Sequence, residues 1–301
     1  MAISRAQLVK ELEPGLNALF GLEYRNYADE TTEIFDTESS DRAFEEEVML
    51  SGFGNAAVKP EGQGVQFDDA QETFTARYTN ETIALAFAIT EEAIEDNLYD
   101  RLASRYTKAL ARSMANTKQV KAAAVLNNGF NANFAGGDGV ALFATNHPTI
   151  AGTFSNELAV ASDLNETSLE QALIDIAAMT DERGLKIASR GMKLIIPSAL
   201  QFTADRLMKS EGRTGTADND INAVRNMGMI PEGYTVNHFL TSAKKWFIKT
   251  DVPNGLKHFV RAPIKTSMEG DFDTGNVRYK ARERYVFGFS DPRGIFGSNA
   301  T

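Results

Sequence analysis

The side chains best suited to chemistry are few in this 301-residue chain: three histidines and no cysteine. Absence of thiols removes disulfides, thiolate nucleophiles and cysteine-ligated metals together, and fits a reducing compartment. His147, His238 and His258 lie far apart, and none has a second histidine or a carboxylate at helical ligand spacing, so a zinc centre is not expected. His147 precedes Pro148 in a turn-like stretch, while His238 and His258 fall in strand-like segments, where a histidine is more often structural. Asp68 with Asp69, and Asp271 with Asp273, have the makings of acid–base pairs, yet both lie in polar turns where hydration is the expected role. There is no Gly-x-Ser-x-Gly elbow. The run Gly136, Gly137, Asp138, Gly139 is followed by neither a Lys-Ser/Thr pair nor a helix start, so it does not read as a phosphate loop. Catalytic, cofactor-binding and metal-binding residues are therefore not expected.

One charge pattern stands out instead. Arg101, Arg105, Lys108 and Arg112 recur at helical spacing, and four cations on one helix face repel unless something acidic faces them. Such a ridge is either a solvated face, or a contact with nucleic acid or with an acid-rich segment of another copy. Glu45, Glu46, Glu47, Asp68 and Asp69 supply acids of that kind, and Lys59 is the lone lysine among them. A net charge of −10 argues against a general basic surface for nucleic acid, though it leaves room for a local ridge. With 43% apolar and 24% charged residues the composition is that of an ordinary folded protein. The N-terminus has no apolar signal core, and Ile83 to Ile89 is the longest apolar run, so neither export nor a membrane span is expected.

The ridge needs a helix to carry it, and Thr90 to Leu126 reads as one spine of about 37 residues, roughly 55 Å long. Ile94, Leu98, Leu102, Tyr106, Ala109, Leu110, Thr117, Val120 and Ala124 form its expected apolar arc, opposite the ridge. Thr90 suits the N-cap, Glu91, Glu92, Glu95 and Asp96 the positive end of the dipole, and Asn127-Asn128-Gly129 the stop. Glu95 lands on the apolar arc, which the pattern does not explain.

Residues 1 to 45 start as a short helical pattern at Leu8 and Leu12, which Pro14-Gly15 interrupts, and continue with scattered Phe20, Tyr24, Tyr27 and Phe35. That reads as an arm whose aromatics bury either on another domain or copy, or on its own core. Segments 48–57 and 71–89, separated by Pro60, Gly62 and Gly64, read as a long hairpin that cannot stand alone in water. Residues 131–162 read as loop. A helix follows from Thr167 with a capping box to Glu170, then a buried strand at Met192 to Ile196, and Pro197 opening a helix lined by Leu200, Phe202, Leu207 and Met208. Residues 210–222 read as a polar, mobile loop. Strands are expected at 234–239, 246–250, 258–268 and 277–289, the last with Arg278, Lys280 and Arg282 alternating against Val277, Tyr279 and Ala281.

That order of parts, together with KLIIPSALQFTADRLMKS (193–210) and RYKARERYVFGFSDPRGI (278–295), resembles the major capsid proteins of tailed bacteriophages, with the former similar to the Mu-like major head subunits. The resemblance implies an α+β, Hong Kong 97-like fold: an N-terminal arm (1–45), an extended β-hairpin loop (46–85), a peripheral domain with the spine helix (86–135 and 256–301) and an axial domain (136–255). It further implies a shell subunit that assembles as pentamers and hexamers around packaged double-stranded DNA, held without sequence specificity, and has no active site or cofactor. A separate scaffold protein and a portal are expected partners, a cement or decoration protein is compatible, and the location is the virion after assembly in the host cytoplasm. Some relatives join a loop lysine to a neighbour's asparagine; Lys59 is placed for this, but no partner is identifiable and the crosslink is not expected. The alternatives are an encapsulin-like cellular compartment and an unrelated enzyme built on a carboxylate pair.

Overall fold

The computed structural model describes residues 5–90, 92, 99–213, 220–271 and 275–301. Helix α1 (Arg5–Asn26) runs on through Pro14, where the sequence suggests a break. A proline inside a helix costs about 3 kcal/mol, but Leu16 and Phe20 beyond it are buried against the spine helix and a sheet, which keeps the two halves in line. Phe20 and Tyr24 thus follow a helical period and stack at 5.9 Å. The arm's aromatics bury on their own subunit.

Strand β1 (Asp36–Ser39) is followed by β2 (Phe44–Leu50), β3 (Glu72–Thr79) and β4 (Glu81–Ile89). The second arm of the expected hairpin is therefore divided. β3 pairs with β2, whereas β4 joins a different sheet. The division falls at Asn80, which is buried and donates from Nδ2 to Ser40 Oγ (2.7 Å) and the Arg42 carbonyl (3.0 Å). The first arm also ends earlier than expected, at Leu50.

The spine, α2, is described over Tyr99–Asn127. Residues 91 and 93–98, where its acidic first turns and Glu95 were expected, lie outside the described residues. Its buried line is Ala103, Thr107, Leu110, Ala111 and Met114, while Tyr106 and Val120 remain 51% and 49% exposed. The apolar arc is thus turned from the expected one. Contact with α1 on one side and a sheet on the other favours small residues that let backbones approach, which displaces Tyr106 and Val120 outward.

The stretch read as loop, 131–162, holds the short hairpin β5 (His147–Thr149) and β6 (Gly152–Phe154), and buries Leu142, Phe143, Phe154 and Leu158. Helix α3 (Glu166–Ala178) is capped by Asn165, not Thr167: Asn165 Oδ1 accepts from Ser168 N, and Ser168 Oγ from Asn165 N, completing the box two residues earlier. After β7 (Gly191–Ile196), Pro197 leads through a single tight turn into α4 (Gln201–Lys209), on which Leu207 is buried but Phe202 points out. Part of the polar segment beyond it, 214–219, lies outside the described residues. A short helix α5 (Ala223–Asn226) precedes β8 (Tyr234–Val236), β9 (Trp246–Thr250), β10 (Leu256–Gly270), β11 (Val277–Phe289) and β12 (Ile295–Ser298).

Two four-stranded sheets organise these parts. The first has the order β1-β10-β11-β4, with α1 and the spine on one face; the second has the order β12-β9-β7-β8, covered by α3 and α4. Between them Ile34, Leu126, Phe143, Ile195, Phe247 and Ile295 form a shared core.

Candidate functional site

Regular alternation along β11 sorts its residues onto two faces. Tyr279, Ala281, Glu283 and Tyr285 are buried towards α1 and the spine, and Arg278, Lys280, Arg282 and Arg284 line the opposite face. On that face Arg282 stands directly across from Lys265 of β10, and Lys280 across from Ser267. On the other side the row meets Thr82, Ala84, Ala86 and Ala88 of β4, all exposed. The face is therefore a flat shelf of small side chains bordered by cations. Among the described residues only Arg278 of this row has a carboxylate partner, Asp271. Like charges directly opposite on a sheet destabilise it by roughly 0.2–1 kcal/mol. Sequence reading found the strand and its alternation but not the surface, because the facing Lys265 is supplied by a pairing register.

The residues singled out in the sequence are not all brought together. On the spine, Arg105, Lys108 and Arg112 are exposed, and Arg112 Nε pairs with Glu23 Oε1 of α1 at 2.9 Å; the side chain of Arg101 lies outside the described ones. The hairpin acids are largely engaged within the chain. Glu45 Oε1 accepts from Ser40 Oγ (2.8 Å) and from the Asp41 and Arg42 amides, and these bonds, Ser40's first, hold its carboxyl below the usual range. Glu46 faces Arg77 across the hairpin at 3.8 Å, and Glu47 lies 3.5 Å from the buried Lys257. Asp68 accepts from the Gly54 amide at 2.7 Å, which lowers its pKa, and Arg183 donates to the Asp69 carbonyl. Lys59 is exposed at the tip.

Between β2 and β3, residues 51–71 project without ladder pairing, and Phe53, Val58, Val65 and Phe67 are exposed, Phe67 by 93%. This apolar content is greater than the Gly- and Pro-rich tip suggests. The base of the hairpin is seated on the Gly-rich run: a Cβ on Gly137 would stand 2.6 Å from the Thr75 carbonyl oxygen, so only glycine permits that approach.

The histidines have structural partners. His147 is buried, with Nδ1 2.6 Å from Asp138 Oδ2 and Nε2 3.1 Å from Asn156 Oδ1, and Asn156 in turn donates to the Leu142 and Pro292 carbonyls. His238 lies beyond β8, not in it, beside Glu30 at 2.5 Å. His258 stacks on Phe287 at 4.2 Å, and burial pushes its pKa down to about 4. Asp273 lies outside the described residues, while Asp271 is held by Arg278. No group of three or more His, Asp or Glu side chains that could hold a metal occurs among the described residues.

The body is α+β, with a projecting apolar-tipped hairpin and a cationic sheet face. The chain belongs to the phage capsid protein family, whose sequence profile matches residues 72–298. It is a structural subunit of a phage capsid shell with a Hong Kong 97-like fold, not an enzyme. Among solved structures it is similar to the procapsid of bacteriophage JBD30 (16% identity, TM-score 0.56, covering 99% of this chain and 77% of that one). It is also similar to a virus-like particle from Pyrococcus furiosus (11% identity, TM-score 0.55, 95% and 98%) and to Microbacterium phage Oxtober96 (8% identity, TM-score 0.51, 91% and 91%). At these identities the likeness speaks for the fold. No curated protein matches the sequence.

Proposed function

We propose that the chain closes into an icosahedral head of pentamers and hexamers around packaged double-stranded DNA, with the projecting hairpin of one copy lying on the basic sheet face of the next. The hairpin carries the reading: residues 51–71 project beyond the paired strands, hold Glu61, Asp68 and Asp69 against the single Lys59, and expose Phe53, Val58, Val65 and Phe67 with nothing to bury them. A ribbon of that kind gains a packing surface only on another molecule. Arg105 and Lys108 of the ridge remain a second candidate contact. In this arrangement residues 1–45 form the arm, 46–85 the extended loop, 86–135 with 256–301 the peripheral domain and 136–255 the axial domain. A separate scaffold and a portal complete the assembly in the host cytoplasm, and no membrane takes part; no described helix is long and apolar enough to cross one.

Replacing residues 54–66 with Asn-Gly tests the reading, because it shortens the reach while preserving a turn. The expected product is soluble, with an unchanged thermal transition and no closed particles by negative-stain microscopy. Wild-type shells from the shortened chain, or a subunit that no longer folds, would show the hairpin serving its own copy.

A further inference from the structure

The outer strand of a sheet presents a row of unpaired amides and carbonyls, and folded proteins blunt it with brevity, lysine, proline or a bulge. The sheet β1-β10-β11-β4 is blunted on one side only. Its β1 edge is four residues long, and the length of β10 that runs on past β1 carries Pro263, Lys265 and two breaks in register. Strand β4 is different. It runs nine residues in unbroken register with β11, has no proline and no charge after Glu81, and leaves six of its residues exposed. Among the described residues its backbone makes no hydrogen bond outside that ladder.

The two faces beside this edge call for different side chains. On the spine side Leu85 is 45% exposed, and Tyr106, tilted against Phe87 with ring centroids 5.8 Å apart, is exposed too. On the other side the short Thr82, Ala84, Ala86 and Ala88 lie beside the exposed Lys280 and Arg282 of β11. A strand laid along β4 should therefore be apolar towards the spine and polar or acidic towards the cations. Val65-Gln66-Phe67-Asp68 of the projecting hairpin has that alternation, with Val65 and Phe67 on one side of an extended chain and Gln66 and Asp68 on the other. Val65 and Phe67 are exposed, and among the described residues 64–67 make no backbone hydrogen bond.

We propose that residues 65–68 of a second copy add to this four-stranded sheet as a fifth strand at the edge of β4. Their main chain extends the open ladder, Val65 and Phe67 cover Leu85 and Tyr106, and Asp68 is turned to the cationic side. This pairing rests on the meeting of hairpin and basic sheet proposed above, and specifies that the contact is made through the backbone at the sheet's edge.

Residue-resolved amide hydrogen exchange of the full chain, as free subunit and as closed shells, tests the pairing. In an antiparallel edge strand every second amide points away from its partner. Alternate amides of residues 82–88 should therefore exchange freely in the subunit and gain about tenfold or more protection in shells, together with alternate amides of 65–68. Shells in which those β4 amides exchange as in the free subunit would overturn the strand addition while leaving the hairpin to lie on the sheet face. Shells that close without residues 54–66 would overturn the hairpin contact and the pairing with it. Leu85→Lys supplies the edge lysine that β4 lacks, at a side chain already half-exposed, so the subunit should stay soluble with an unchanged thermal transition and the yield of closed shells should fall about tenfold or more. Wild-type yield from this variant would overturn the proposal, and if the variant does not fold, exchange on the wild-type chain decides.

Discussion

Two rows of cations run through this subunit, one along the spine helix and one along β11, and they differ in what the fold gives each to face. On the spine, Arg112 finds Glu23 within the same chain, and Arg105 and Lys108 are exposed. On β11, Arg282 is set opposite another cation, Lys265, beside a strip of exposed alanines. Neighbours on a helix face and opposed residues on a sheet are both about 5 Å apart, so what differs is the partner: Glu23 answers Arg112 on the helix, while the strand register sets Lys265 against Arg282. Charge repulsion is thus relieved locally on the helix and left standing on the sheet. A surface that is strained by itself and flat enough to be covered is the better candidate for an interface.

The comparison can be broken first at the helix that carries one of the rows. Tyr106→Pro removes a backbone donor in mid-spine and should cost 3 kcal/mol or more by the usual penalty of an interior proline. Insoluble protein is expected, and normal particles from this variant would mean that the spine tolerates a break. Reversing each row separately sharpens the contrast. Lys265→Glu with Arg282→Glu should leave a soluble subunit with no closed shells, while Arg101→Glu with Arg105→Glu should assemble with only a shifted salt dependence. Equal loss in both would return the spine ridge to the rank of an interface, and a ridge variant that alone fails to assemble would reverse the assignment. The smallest and most discriminating effect belongs to Lys265→Glu alone. It turns a like-charge pair into an opposite-charge one, so the subunit should be stabilised by about 0.2–1 kcal/mol in chemical denaturation while its assembly yield falls. Destabilisation, or a gain in assembly, would show that Lys265 already has an acidic partner.

Much of the architecture was legible in the sequence because it rests on period and punctuation. The strand at 277–289, the strand at 246–250, the stop of the spine at Asn127 and the exclusion of thiol chemistry follow from alternation, capping and composition, which act over a few residues. The candidate surfaces were legible only in part. Glu45, Glu47 and Asp68 look like free acids in sequence, yet the fold gives them to Ser40, Lys257 and Gly54. Asn80 looks like one more polar residue in a long strand, yet it divides that strand between two sheets. Tyr106 satisfies the apolar arc of an isolated helix, but packing against α1 and β11 at once selects a line of small residues and turns it out. What the sequence determined by itself was the strongly periodic elements, such as the spine and the strands at 246–250 and 277–289, since each is fixed by neighbours within a turn or a pleat, whereas the run of α1 through Pro14 and the β5–β6 pair depend on what packs against them. Which faces of those elements meet, and so which charges are spent inside the subunit and which are left for another copy, depends on contacts between residues far apart in the chain, and only the tertiary structure decides them.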